Sequence, residues 1–137
     1  MDLVVDANII FAIMIKKGAS EHLLLANDLH FYAPEYLFIE AAKHEKEILE
    51  KTMKTSFEFK QTLHLVEKRV DLIPFQEFSH CINEASQLLE DKADAFYVAV
   101  CLAKKMPLWS NDKGFKKQDK VKVFTTTELL EYLEIKL

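Results

Sequence analysis

Apolar residues recur along this chain in two rhythms, short unbroken runs and longer helical repeats. Leu3-Val4-Val5 is an uninterrupted run stopped by Asp6, and apolar residues resume at once in Ile9-Ile10-Phe11-Ala12-Ile13-Met14-Ile15. A brief β-branched run suits a strand buried on both faces, as in a parallel sheet covered by helices. His30-Phe31-Tyr32-Ala33, Val70-Asp71-Leu72-Ile73, Pro107-Leu108-Trp109-Ser110 and Val121-Lys122-Val123-Phe124 read as four further strands. Between them the spacing predicts a helix from Asn8, its N-cap, to about Ile15, then a turn at Gly18 and a short helix from Ala19 to about Asn27. Pro34 opens a long helix from Glu35 to about Thr52, where Leu37, Ala41, Ile48 and Thr52 keep helical spacing. Helices over Phe57–Arg69, Phe75–Glu90, Lys92–Lys105 and Thr127–Leu133 follow, the last capped from within Thr125–Thr127. Strands alternating with helices require crossover connections and a parallel sheet, so the expected class is α/β, in one domain over residues 1–137.

Four acids stand out against this pattern. Asp6 ends the first strand, where open α/β sheets place their ligands. Glu40 lies in the apolar stretch Leu37-Phe38-Ile39-Glu40-Ala41-Ala42, Asp94 in the first turn of the apolar helix that begins Ala93-Asp94-Ala95-Phe96, and Asp112 just past the fourth strand. Each has a plain structural reading: Asp6 and Asp112 as helix caps, Asp91 as the cap before Asp94, Asp94 as a charge favoured by a helix dipole, and Glu40 as a solvated partner of His44. Their shared edge changes the balance, because the expected topology brings two strand ends and two helices together. Two like charges about 4 Å apart repel by about 4 kcal/mol at an effective dielectric near 20, so gathered carboxylates call for a cation. Hard oxygen ligands select Mg²⁺ or Mn²⁺, which can activate water and stabilise charge on a phosphodiester. The chemistry expected is metal-dependent phosphodiester hydrolysis.

Composition narrows the setting. Half of the 137 residues are apolar and 29% are charged, with only two Gly and three Pro, which describes a globular chain without a flexible linker. No charged leader precedes the first strand, and no apolar run approaches the roughly 20 residues of a membrane helix, so a soluble cytoplasmic protein is expected. Cys81 and Cys101 lack a metal or redox motif and read as reduced thiols in helices, with a disulfide as the alternative. The net charge of −4 opposes generic attraction to nucleic acid. Within that average, Lys113, Lys116, Lys117, Lys120 and Lys122 crowd one stretch, either a solvated surface or a phosphate-contacting flank. Of the five histidines only His44 falls near a proposed ligand. Phe57, Phe59, Phe75 and Phe78 read as core or dimer contacts, Trp109 as buried, and Lys43, Lys46, Lys51 and Lys54 as the outer face of the long helix.

Val4-Val5-Asp6-Ala7-Asn8, an isolated Glu40 on a mid-chain helix, Asp91-Lys92-Ala93-Asp94-Ala95 before an apolar helix and Leu108-Trp109-Ser110-Asn111-Asp112, in that order, resemble the PIN-domain nucleases along essentially the whole chain. The resemblance implies a three-layer α/β/α sandwich whose acids bind one or two Mg²⁺ or Mn²⁺ ions and cleave RNA, usually single-stranded. Asp6, Glu40, Asp94 and Asp112 match the family's acidic positions, with Asn8, Ser110 and Asp91 around them. Many small members are VapC-type toxins, often dimeric, held inactive by an antitoxin protein; others process RNA without one. A phosphatase or phosphotransfer enzyme is a second class, weakened because Asn8 stands where a second carboxylate would be needed. A non-catalytic nucleic-acid-binding module is a third.

Overall fold

A computed structural model describes residues 1–16 and 18–136. Five strands form one sheet: β1 (Asp2–Val5), β2 (His30–Pro34), β3 (Val70–Ile73), β4 (Leu108–Trp109) and β5 (Val123–Phe124). Their order across the sheet is β3-β2-β1-β4-β5, and every neighbouring pair is parallel. Leu3, Val4 and Val5 are all fully buried. Successive strand residues point to opposite faces, so both faces of β1 are covered, as the unbroken apolar run requires. Around the sheet lie α1 (Ala7–Ile15), α2 (Ala19–Leu24), α3 (Leu37–Lys43), α4 (Glu45–Thr52), α5 (Ser56–Arg69), α6 (Ile82–Leu88), α7 (Ala95–Lys104) and α8 (Thr126–Lys136). Helix α1 packs on α2, α3, α4 and α5, while α7 packs on α6 and crosses β1, β2 and β4. Among the described residues no helix is long and apolar enough to cross a membrane.

The chain moves outward from β1 to β2 and β3, then returns to build β4 and β5 on the other side of β1. The order therefore reverses between β1 and β4, and crevices at the carboxyl ends of strands flanking such a point are where doubly wound sheets hold ligands. Asp6 directly follows β1, and Ser110 directly follows β4.

Several expected boundaries are corrected. Asp6, not Asn8, caps α1: its side chain accepts from the Asn8 backbone N–H, so the helix starts at Ala7. Pro34 ends β2 instead of opening a helix, and the Glu35 N–H continues toward the sheet by donating to the Ile73 carbonyl. The long helix is two, because His44 leaves the helical basin (φ −95°, ψ 3°) and its N–H turns to the Ala41 carbonyl three residues back. The segment after Pro74 is two 3₁₀ turns, Phe75–Glu77 and Ser79–Cys81, before α6 begins. Phe78 sits between those turns, buried, with its ring against Phe75 and Phe96 at 5.5 and 5.7 Å; seating that ring bends the backbone out of a helix. Phe59 and Trp109 are buried, whereas Phe57 is exposed, and both cysteines are free thiols.

Candidate active site

The carboxyl ends of β1 and β4 deliver the first part of the site. Asp6 is 2% exposed. Its Oδ1 accepts from the Asn8 backbone N–H at 3.4 Å and its Oδ2 from the Ser110 hydroxyl at 2.8 Å. Burial pushes its carboxyl up from the ordinary 3.8 to about 6; the hydrogen bonds from Ser110 and Asn8 hold it down, and the charges of Asp112 and Glu40 push it up further. Ser110 is itself fixed, since its oxygen also accepts from the Asp112 backbone N–H at 3.0 Å. That hydroxyl thereby ties the ends of two strands that lie 104 residues apart in the chain.

Asp94 closes a 3₁₀ turn, Lys92–Asp94, that leads into α7. Asp91 opens the turn, its side chain accepting from the Ala93 N–H at 2.9 Å, and so acts as a cap. Asp94 is also pushed up to about 6, by partial burial first and then by the charges of Asp6, Asp91, Asp112 and Glu40. Glu40, on α3, accepts from the Tyr97 hydroxyl at 3.1 Å. Its carboxyl is raised by burial, against the lowering effects of Tyr97, His44 and Lys43. Tyr97 follows Asp94 by three residues, so the start of α7 directs both side chains to one face.

Asp6, Asn8, Glu40 and Asp94 line a single cavity of about 360 Å³, within the usual range for ligand sites. Asp112 does not line it; its side chain caps the 3₁₀ turn Lys113–Lys117 through Gly114 N–H at 2.9 Å, while its charge reaches Asp6 and Asp94. Lys116 is paired with Glu128 and Lys117 with Glu90, and neither they nor Lys113 border the cavity. Lys51 does border it, while remaining exposed as expected for the outer face of the long helix. Tyr97, Phe11, Glu47 and Lys51 were not singled out from sequence as site residues. Periodicity finds three of them: Tyr97 lies three after Asp94, and Glu47 and Lys51 lie seven and eleven after Glu40, whereas no such spacing marks Phe11.

Among the described residues no three His, Cys, Asp or Glu side chains converge closely enough to ligate one ion together. The donor set nonetheless fits Mg²⁺ or Mn²⁺. These hard ions keep several waters and take only one or two protein carboxylates, and a cation would favour the ionised forms that burial first, and neighbouring carboxylates second, disfavour at Asp6 and Asp94.

A doubly wound parallel sheet with an acidic cleft at its reversal point defines an α/β domain built to hold a ligand there. More particularly, the chain belongs to the PIN-domain family, whose members are nucleases: the family model for the PIN domain matches residues 4–134. Three solved structures share the fold. VapBC2 from Rickettsia felis, bound to a DNA fragment from its promoter, gives a TM-score of 0.69 at 16% identity, over 91% of this chain and 98% of that one. A toxin–antitoxin complex from Klebsiella pneumoniae gives 0.65 at 13%, over 90% and 97%. FitAcB from Neisseria gonorrhoeae gives 0.63 at 16%, over 93% and 99%. Comparison with curated proteins gives no significant match.

Proposed function

We propose that this chain is a Mg²⁺- or Mn²⁺-dependent endoribonuclease that hydrolyses single-stranded RNA, with Asp6, Glu40 and Asp94 as the catalytic carboxylates around the ion and Asp112 acting on the site through its charge. One observation carries the reading: Asp6, Glu40 and Asp94, remote in the chain, line one cleft at the reversal point of the sheet, and burial raises all three carboxyls from their ordinary values. A bound divalent ion would supply Lewis acidity toward a phosphoryl oxygen and activate water for in-line displacement. The chain's own residues fix the carboxylates for that task. Ser110 and the Asn8 N–H orient Asp6, the Tyr97 hydroxyl orients Glu40, and the turn capped by Asp91 aims Asp94. Asp112 acts from behind through its charge on Asp6 and Asp94. Lys113, Lys116 and Lys117 follow it in the chain and meet substrate phosphates outside the cleft, Lys116 and Lys117 exchanging Glu128 and Glu90 for RNA.

The reading extends to a cytoplasmic toxin that forms a homodimer and is restrained by an antitoxin protein. Its support is the likeness in fold to VapBC2 and to the Klebsiella pneumoniae toxin–antitoxin complex, together with a chain length close to theirs. The nuclease assignment is tested on purified Asp6→Asn and Asp94→Asn chains with a single-stranded RNA. Cleavage in Mg²⁺ or Mn²⁺ disappears in both while circular dichroism stays that of the parent. Wild-type rates in either variant would sink the assignment.

A further inference from the structure

The cleft continues past its acidic end. Phe11 and Ile15 of α1 line it together with Glu40 of α3, His44, and Glu47 and Lys51 of α4, the Phe11 and His44 rings meeting each other. Its character changes along its length. The carboxylates of Asp6, Glu40 and Asp94 stand at one end, the rings of Phe11 and His44 lie 4.8 Å apart at 51° in the middle, and the Lys51 ammonium stands at the other end. Glu47 holds the far half in place, one carboxylate oxygen accepting from Lys51 at 2.9 Å and the other meeting His44 Nδ1 at 3.1 Å. Lys51 lies eleven residues past Glu40, on the far side of the break at His44. A strand whose reacting phosphate rests at the carboxylates must therefore lay a neighbouring nucleotide somewhere, and this groove is continuous with that point.

We propose, resting on the nuclease reading above, that the groove between α1 and α4 seats the nucleotide next to the scissile phosphate, its base stacked on the Phe11–His44 ring pair and its far phosphate held by Lys51. Every base offers a π-face, so stacking on an aromatic platform takes single strands of any sequence, and a duplex, whose bases are already stacked, cannot use it. The Lys51 contact adds affinity that falls with salt. Glu47 is a positioning residue: it keeps Lys51 and His44 over the groove, yet sets a negative charge beside an anionic ligand.

The test measures binding of a fluorescein-labelled short RNA strand of mixed sequence, and of its abasic counterpart, to the Asp94→Asn chain over a range of KCl concentrations. The intact strand binds about tenfold tighter than the abasic one, the size of one base–aromatic stack. Phe11→Leu, which keeps an apolar side chain in the wall, erases that preference. Lys51→Ala lowers the slope of log affinity against log salt by about 0.7, the value for one phosphate of a single strand. Glu47→Gln tightens binding severalfold, an effect that loss of structure would not produce. Equal binding of intact and abasic strands, a salt slope indifferent to Lys51→Ala, or no binding by the Asp94→Asn chain overturns the groove assignment. Cleavage by the wild-type chain is scored separately: a chain that cleaves RNA in Mn²⁺ but is insensitive to all three groove substitutions keeps the nuclease reading and loses only the groove.

Discussion

Asp6 is packed where an ionised carboxylate is costly, between strands β1 and β4 and 2% exposed. Its folded value of about 6 lies above the ordinary 3.8, so the folded chain binds its proton more tightly than the unfolded one. Stability contributed by this group is therefore full below about pH 4, falls as pH rises to about 6 and stays low above it. An asparagine can cap α1 and meet Ser110 without the charge. Asp6→Asn should then stabilise the metal-free chain at pH 7 by up to about 3 kcal/mol and leave it unchanged at pH 4, read from urea unfolding at both values. A variant no more stable than wild type at pH 7 would show that the charge is not strained there. Tyr97 acts one step further out. Tyr97→Phe preserves ring packing but removes the donor to Glu40, and should weaken Mn²⁺ affinity or turnover by about 10- to 100-fold with the fold intact. Unchanged values would remove Tyr97 from the supporting set.

At the scale of elements, the C-terminal end of α2 is held by a side chain from the end of α5. Arg69 donates from Nε to the Leu24 carbonyl at the helix end and from Nη2 to the Ala26 carbonyl just beyond it, both at 2.9 Å; the second also accepts from the Leu29 N–H. Arg69→Ala should cost about 1–3 kcal/mol in denaturant unfolding, and Arg69→Lys should recover only part of it, since an ammonium cannot reproduce the two-pronged geometry. An alanine variant as stable as wild type would contradict this. Elements whose signal is local were legible in the sequence: the β1 run, the β3 run stopped by Pro74, and the α8 cap, where Thr125 and Glu128 exchange hydrogen bonds as a capping box. The break at His44 was not legible, because no Gly or Pro marks it and the apolar spacing continues through it. The 3₁₀ turns around Phe78 were hidden for a related reason: the bend follows from contact with Phe96, 18 residues on, and helical spacing of Phe78 and Ile82 persists in spite of it.

For the whole molecule, the alternation of strands and helices gave a parallel sheet, and the four acids fell at positions that such a sheet brings to one edge. What alternation leaves open is strand order, and with it which carboxylates share a cavity and which stand behind it. Asp112 illustrates the difference: it sits past β4 as expected, but its side chain is used to cap a turn, and it reaches the cleft only by its charge. Lys51 is exposed, as its place on the outer helix face implied, and it also borders the cleft, which spacing along one helix does not reveal. The central claim is that carboxylates gathered at the sheet's reversal point form one site for a divalent cation. Calorimetric titration with Mn²⁺, repeated in buffers of different ionisation enthalpy, tests it most directly, because a cation entering this site must displace the protons that burial and repulsion keep on Asp6 and Asp94. With both groups near half-protonated at pH 6, binding should release about one proton per ion there, almost none at pH 8, and markedly less in Asp94→Asn. Absence of binding, or binding that releases no proton at pH 6 and ignores Asp94→Asn, would contradict the account.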